Sequence, residues 1–155
     1  TGANLGQPLG LVMLNIEAPA GVVAELVRVG KPGARYLLCV PDASAEILQK
    51  PVAAEAHYQK PNHIHIFNRD EFRLLVENAG LIVESHELNG FYWALWWFFF
   101  WVSEEKDLGN PTHPLLVSWA RTWQLLLDTP KGLVLKRELD KHLAKSQVIV
   151  ARKPD

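Results

Sequence analysis

The sequence predicts an α/β fold, in which helices cover a sheet. Strand-like and helix-like segments alternate as far as residue 90, which is the pattern of a doubly wound sheet. Residues 34–41 form a nearly continuous apolar run, typical of a strand that is covered on both faces. Asn68 stands three residues before Glu71, and this capping box predicts the start of a helix.

The first predicted unit is a strand, a helix and a second strand. Residues 11–14 are a short apolar run and predict a buried strand. Pro19 suits the first turn of a helix, and apolar residues then recur at helical spacing as far as Val29. A Lys-Pro-Gly turn at residues 31–33 ends this helix, and the apolar run at 34–41 predicts the second strand.

The second predicted unit follows a polar stretch that has room for a short helix over residues 43–49. The capping box predicts a helix over residues 69–78, and Gly80 suits the left-handed position after its end. Residues 81–88 alternate in polarity and predict a strand, and Asn-Gly at 89–90 predicts a turn.

The last third of the chain is mainly helical in its pattern. Four of the six tryptophans lie within residues 91–102, a run of about 12 apolar residues that is too short to cross a bilayer alone, since about 20 are needed. The helix that contains this run is predicted over residues 91–105. Two more helices are predicted over residues 115–127 and 133–143, and a final strand over residues 147–152.

Composition favours one domain. The chain has 155 residues and a net charge of -1, without the basic excess of a nucleic-acid-binding surface. Its single cysteine, Cys39, cannot form an internal disulfide, which fits a reducing cytoplasm, and its apolar neighbours indicate a core thiol. We predict a single partial domain, with residues 1–90 and 146–155 as the sheet core and residues 91–145 as a helical insertion.

Three segments carry a resemblance to a known family. Residues 19–41 read as a helix that begins at proline and contains Glu-x-x-Arg-Val, a Lys-Pro-Gly turn and a strand that ends in Val-Pro. Residues 63–80 contain a histidine, a phenylalanine and a capped helix that ends in Ala-Gly, and residues 147–154 end in Lys-Pro. In this order they resemble the C-terminal half of class I S-adenosylmethionine-dependent methyltransferases of the type 11 or type 23-like groups.

The resemblance implies a fold, a cofactor and a missing part. The fold would be the C-terminal half of a Rossmann-like doubly wound sheet, with an antiparallel last strand and an inserted helical lid. The complete domain would bind S-adenosylmethionine, but this chain has no strand followed by the family's glycine-rich loop. The chain alone is therefore expected to be inactive. Asn15 follows the strand at residues 11–14, where family members approach the cofactor, and it is the one predicted cofactor contact.

Candidate acceptor-binding residues come from two segments. His63 and His65 would share one face if their segment were a strand, and one of them could bind the acceptor or act as a general base. A structural hydrogen-bonding role is the alternative, and no metal is expected because no third ligand is evident. Tyr92 and Trp93 begin the aromatic helix, which would be a lid over a lipid, quinone or polyketide-like acceptor, or a helix packed against the helix at 115–127.

Two functions follow from this interpretation. The first is that the chain belongs to an enzyme that transfers a methyl group from S-adenosylmethionine to a small hydrophobic acceptor. The alternative is a non-catalytic module that docks on a protein or on a membrane surface through residues 91–102. Half of a parallel sheet also leaves one strand edge unpaired, which predicts self-association.

Overall fold

The fold is a mixed sheet of four strands with helices between them. The structure is a computed structural model that describes the backbone of Leu9–Val12 and residues 16–155 in full. In chain order the elements are β1 (Leu9–Val12), α1 (Pro19–Val29), β2 (Arg35–Pro41), α2 (Ala43–Gln49), a 3₁₀ turn (Glu55–Tyr58), α3 (Arg69–Asn78), β3 (Ile82–Asn89), α4 (Phe91–Val102), α5 (Pro114–Leu127), α6 (Gly132–His142) and β4 (Ser146–Arg152).

The sheet has the strand order β1-β2-β4-β3. β1 and β2 are parallel, whereas β4 runs antiparallel to both of its neighbours, β2 and β3. The predicted α/β class with an antiparallel last strand is therefore confirmed. β3 consequently points in the same direction as β2, which brings the carboxyl ends of β1, β2 and β3 to one edge of the sheet.

Most predicted boundaries agree with the structure to within one residue, and two elements differ by more. β1 lies two residues earlier than the predicted strand at 11–14. α4 ends at Val102 instead of residue 105, and Glu104 has a φ of 55°. The carboxylate of Glu105 accepts hydrogen bonds from four backbone N–H groups of the loop that follows, those of Lys106, Asp107, Thr112 and His113. This side chain organises a loop where the absence of helix breakers predicted a longer helix.

One face of the sheet carries the main core. Tyr36, Leu38 and Val40 point from β2 into a buried cluster with Val23 of α1 and Phe72 of α3. The alternate residues of β2 face the other way, and Leu37 is 37% exposed. The prediction that this strand is covered on both faces is therefore wrong for the described residues. An apolar run indicates a buried strand, but it cannot show whether helices cover the second face of the sheet.

A separate aromatic cluster joins the helices that lie between β3 and β4. Trp96 and Phe100 of α4 are buried against Leu116 of α5. The first turn of α4 is also tied to α6, because the backbone N–H of Phe91 donates to Oδ1 of Asp140 at 2.8 Å. The lid predicted at residues 91–105 is thus part of a small helical layer of its own.

The outer edge of β1 has no partner strand among the described residues, since β1 pairs with β2 alone. Such an edge can template pairing with another chain. Self-association through this edge stays a prediction. Within the described part of the chain, no helix combines the length and the apolar character that a membrane crossing requires.

Candidate functional site

Several loops meet at the edge of the sheet where β1, β2 and β3 end. α2 follows β2 at this edge, and α4 follows β3. β4 enters the sheet here because it is antiparallel, so Lys145, the residue before it, lies at the same edge. In open α/β sheets, ligands bind outside the carboxyl ends of the strands. This edge is therefore the first place to look for a site.

A fully buried carboxylate, that of Glu46 in α2, is the centre of a polar cluster at this edge. Its Oε2 lies 2.7 Å from Nε2 of Gln49, 3.0 Å from Nδ1 of His63 and 3.4 Å from Nε2 of His57. Its Oε1 pairs with the ammonium group of Lys145. We call these five residues the Glu46 cluster.

The Glu46 carboxyl is ionised despite its burial. Burial is the largest single influence and would raise the pKa of this group. Hydrogen bonds from His57 and His63, together with the charge and hydrogen bond of Lys145, outweigh it and hold the pKa of Glu46 well below its usual range. The cluster thus contains one anion and one cation, in a setting where an unpaired charge would be costly.

Two aromatic side chains, those of Trp101 and Tyr58, form hydrogen bonds to members of the cluster. The indole N–H of Trp101 lies 3.4 Å from Oε1 of Gln49, so the amide nitrogen of Gln49 faces inward, 3.2 Å from Nε2 of His57. The phenol of Tyr58 donates to the backbone carbonyl of Glu46 at 2.8 Å, and burial and the Glu46 charge raise the pKa of Tyr58 to about 12.

A cavity of about 240 Å³ opens beside the Glu46 cluster. It is bounded by the end of β2, the start of β4 and the aromatic helix α4. Its walls combine residues of the two strand ends, one indole ring and two polar side chains of the cluster. The lining residues are Cys39, Val40, Pro41, His63, Trp97, Lys145 and Ser146. Burial raises the pKa of the Cys39 thiol, so the Cys39 side chain in this wall is a neutral thiol and not a thiolate.

Of the predicted acceptor-binding residues, His63 alone lines this cavity. His65 lies elsewhere, with Nε2 at 3.2 Å from the carbonyl of Glu17 and its ring stacked on Phe67. The segment is not a strand, so the two histidines do not share a face. Acceptor binding by either histidine stays a prediction.

Tyr92 and Trp93 also lie away from the cavity. The ring of Tyr92 stacks on Trp119 of α5 with centroids 5.8 Å apart, and burial raises the pKa of its phenol. Trp93 is 52% exposed. Within α4 it is Trp97, one turn later, that reaches the cavity. Asn15, the predicted cofactor contact, lies outside the described residues.

Sequence reasoning missed Glu46, Gln49, His57 and Lys145. Glu46 and Gln49 are three residues apart in the short predicted helix, so they share a helix face, and this spacing was the available signal. Lys145 had no such signal, because it is 99 residues from Glu46 in the chain. His57 lies in a 3₁₀ turn without any periodic pattern.

The turn from β2 into α2 does not fit an adenosyl cofactor. It contains no glycine, and the buried carboxylate of Asp42 accepts from the backbone N–H of Ser44 at 3.0 Å. The same carboxylate pairs with Arg69 at 3.1 Å. The turn is therefore closed by its own side chain, and no cofactor chemistry is derived from it.

No protein-family model and no curated protein matches this chain in sequence. Solved structures match it over most of its length at low identity. The plantazolicin methyltransferase BamL, solved with a triazolic desmethylPZN analog and S-adenosylhomocysteine, has a TM-score of 0.48 and 11% identity, over 99% of this chain and 55% of its own.

Two further structures extend the comparison. Phosphoethanolamine N-methyltransferase 2 of Haemonchus contortus, in complex with phosphomonomethylethanolamine and S-adenosylhomocysteine, gives a TM-score of 0.47 and 12% identity over 94% of this chain and 33% of its own. The [4+2]-cyclase SpnF gives a TM-score of 0.46 and 16% sequence identity, over 94% of this chain and 48% of its own. The chain thus spans about half the length, or less, of these structures, two of which are methyltransferases. Likenesses of this degree decide neither the reaction nor the ligands.

Proposed function

We propose that this chain forms the acceptor-binding part of an S-adenosylmethionine-dependent methyltransferase, and that the acceptor is small and hydrophobic. The observation that carries the proposal is the cavity at the carboxyl edge of the sheet. It is lined by His63, which the sequence predicted as an acceptor contact, and by Trp97 of the helix predicted as a lid. Ligands of open α/β folds bind at this edge.

The volume of the cavity supports a compact acceptor. A cavity of roughly 150 Å³ accommodates benzene in a protein interior. The cavity here measures about 240 Å³, which suits one substituted ring. Of the acceptor types considered from the sequence, a small ring-containing molecule fits better than a lipid.

The residues of the cavity can hold and orient such a molecule. Methyl transfer from a sulfonium needs little chemistry from the protein, because the electrophile is already activated, and alignment supplies much of the rate. The indole of Trp97 offers a flat apolar wall. His63 and Lys145 offer polar groups whose positions are set by Glu46. The proposed roles are stacking for Trp97 and hydrogen bonding for His63.

Most contacts of the methyl donor are proposed to come from residues outside this 155-residue chain. S-adenosylhomocysteine titrated calorimetrically into the folded 155-residue chain is therefore expected to give no saturable heat. The described β2–α2 turn is closed by Asp42, and no glycine-rich loop follows a strand in this sequence. One-to-one binding would contradict this assignment and would place the cofactor site within the chain.

The alternative of a docking module through residues 91–102 has less support. Ala94, Trp96 and Phe100 of α4 are buried, and Trp97 and Trp101 face the Glu46 cluster. Trp93 and Val102 are the exposed large apolar side chains of this helix. The helix also has no lysine or arginine to attract anionic lipid. Most of its apolar surface is already occupied within the chain.

A matched pair of tryptophan variants tests the proposal. The test uses the complete methyltransferase that is proposed to contain this chain, which we call the full-length protein. In it, Trp97→Ala is expected to lower kcat/KM for methyl transfer to ring-containing acceptors at least about tenfold, a loss of about 1.4 kcal/mol of transition-state stabilisation. Trp93→Ala removes an indole one turn away that does not line the cavity, and it should change kcat/KM less than about twofold. Transfer of a labelled methyl group from S-adenosylmethionine measures both.

The pair also defines the contradicting results. Equal losses in the two variants would show that the cavity beside Trp97 is not the acceptor site. The absence of any methyl transfer by the full-length protein across a panel of ring-containing acceptors would contradict the proposed activity itself. Circular dichroism of both variants confirms that each is folded.

A further inference from the structure

Three metal-ligating side chains converge inside the Glu46 cluster. Glu46 comes from α2, His57 from the 3₁₀ turn and His63 from the extended segment after it. One donor atom from each lies within 4.8 Å of the other two. We propose that Glu46, His57 and His63 bind one divalent transition-metal ion, for which Zn²⁺ is the best fit.

Two of the three distances between the donor atoms are close to those of a tetrahedral site. Zinc bonds of about 2.0–2.1 Å to nitrogen and oxygen place neighbouring ligand atoms about 3.3 Å apart. Oε2 of Glu46 lies 3.0 Å from Nδ1 of His63 and 3.4 Å from Nε2 of His57. The donor atoms of His57 and His63 lie within 4.8 Å of each other.

The chemical types of the donors also suit a metal. Glu46 offers a carboxylate oxygen, and Nε2 of His57 lies 3.4 Å from that oxygen and 3.2 Å from the amide nitrogen of Gln49. Nδ1 of His63 lies 3.0 Å from the same carboxylate, and it can bind a metal ion when the ring proton is on Nε2. Two neutral imidazoles and one carboxylate form a donor set that zinc enzymes use with a water as the fourth ligand.

The surroundings resemble the outer shell of a metal site. Lys145 holds the other carboxylate oxygen of Glu46, and such partners fix the orientation of a ligating carboxylate. The ring of His57 packs against Trp97, Trp101 and Tyr58, with centroids 5.0 to 5.9 Å away. His63 also lines the cavity, so a metal ion held by it would lie beside the proposed acceptor.

Gln49 competes with the metal. Its amide nitrogen lies 2.7 Å from Oε2 of Glu46 and 3.2 Å from Nε2 of His57, which is close to the position that the ion would take. The amide group must turn away when the ion enters. Gln49→Leu should therefore strengthen metal binding, whereas loss of a member of a purely structural hydrogen-bond network has no reason to do so.

Cobalt(II) titration of the 155-residue chain tests the site without cofactor or acceptor, so its outcome is independent of the proposed methyl transfer. We expect visible d–d absorption that saturates at one equivalent and is displaced by Zn²⁺, which binds more tightly in the usual order of divalent metals. His57→Gln and His63→Gln should each weaken binding at least tenfold, and Gln49→Leu should tighten it. His65→Gln, a nearby histidine outside the cluster, is the matched control.

Several results would overturn the inference. Absence of saturable cobalt absorption at millimolar metal would exclude the site in the folded chain. An equal loss of cobalt affinity in His65→Gln and His57→Gln would assign the binding to surface histidines. Weaker binding in Gln49→Leu would show that the amide supports the bound state rather than competing with it. Far-ultraviolet circular dichroism establishes that each variant is folded before its affinity is compared.

Discussion

Replacement of Glu46 by alanine is expected to lower the free energy of unfolding by about 3–5 kcal/mol, the usual result of removing one member of a buried ion pair. Glu46 is fully buried, and its removal leaves the ammonium of Lys145 without its partner. It also takes an acceptor from His63 and Gln49. Urea unfolding followed by circular dichroism measures the change, with an unchanged slope as the check on two-state behaviour.

Glu17 supplies the matched control for this variant. It also pairs with a lysine, Lys60, but the side chains are 71% and 66% exposed. Because exposed ion pairs contribute little, Glu17→Ala should cost less than about 1 kcal/mol. A loss for Glu46→Ala as small as that for Glu17→Ala would mean that Lys145 finds solvent easily, and that the cluster is held together by its histidines and amide.

Replacement of Phe72 by alanine is expected to cost about 3–5 kcal/mol through lost burial and the cavity left behind. Phe72 is completely buried where α3 meets the sheet, and its ring lies 6.1 Å from that of Phe67 and 6.0 Å from that of His86. His86 in turn bonds to Gln147 of β4 at 2.9 Å. The lost volume therefore lies between α3 and the two strands β3 and β4.

Leu74, two residues along the same helix, is the control for this cavity. It is 54% exposed, so Leu74→Ala should change the free energy of unfolding by no more than about 0.5 kcal/mol. Both variants keep the helix propensity of α3 high, because alanine is the best helix former. Equal costs for the two variants in urea unfolding would contradict the assignment of α3 as a one-sided helix.

Local signals explain the elements that the sequence predicted well. α3 begins after Asn68, where the side chain of Asn68 accepts from the N–H of Glu71 and the side chain of Glu71 accepts from that of Asn68. The two residues of this capping box are three positions apart in the chain, so a short stretch of sequence is enough to recognise it. Proline at the first position of α1 and the turn before β2 are local in the same sense.

The site was harder to predict because its parts are remote from one another. His63 was recognised as a candidate by its residue type, but the pairing with His65 assumed a strand that the structure does not contain. The carboxylate that organises the site belongs to a short polar helix, and the cation that pairs with it comes from the other end of the domain. Such a cluster depends on strand order, and no local periodicity encodes strand order.

The bond between Phe91 and Asp140 sets an order of events during synthesis. The aromatic helix leaves the ribosome 49 residues before the carboxylate that accepts from its first turn. Chains emerge from the amino terminus onward, and apolar segments without their partners are prone to aggregate. Until α5 and α6 have been made, the rings of α4 that pack on α5 lack that surface, and the first turn of α4 lacks the carboxylate that accepts from it. The nascent chain at this stage is expected to be the form of the protein that most needs a chaperone.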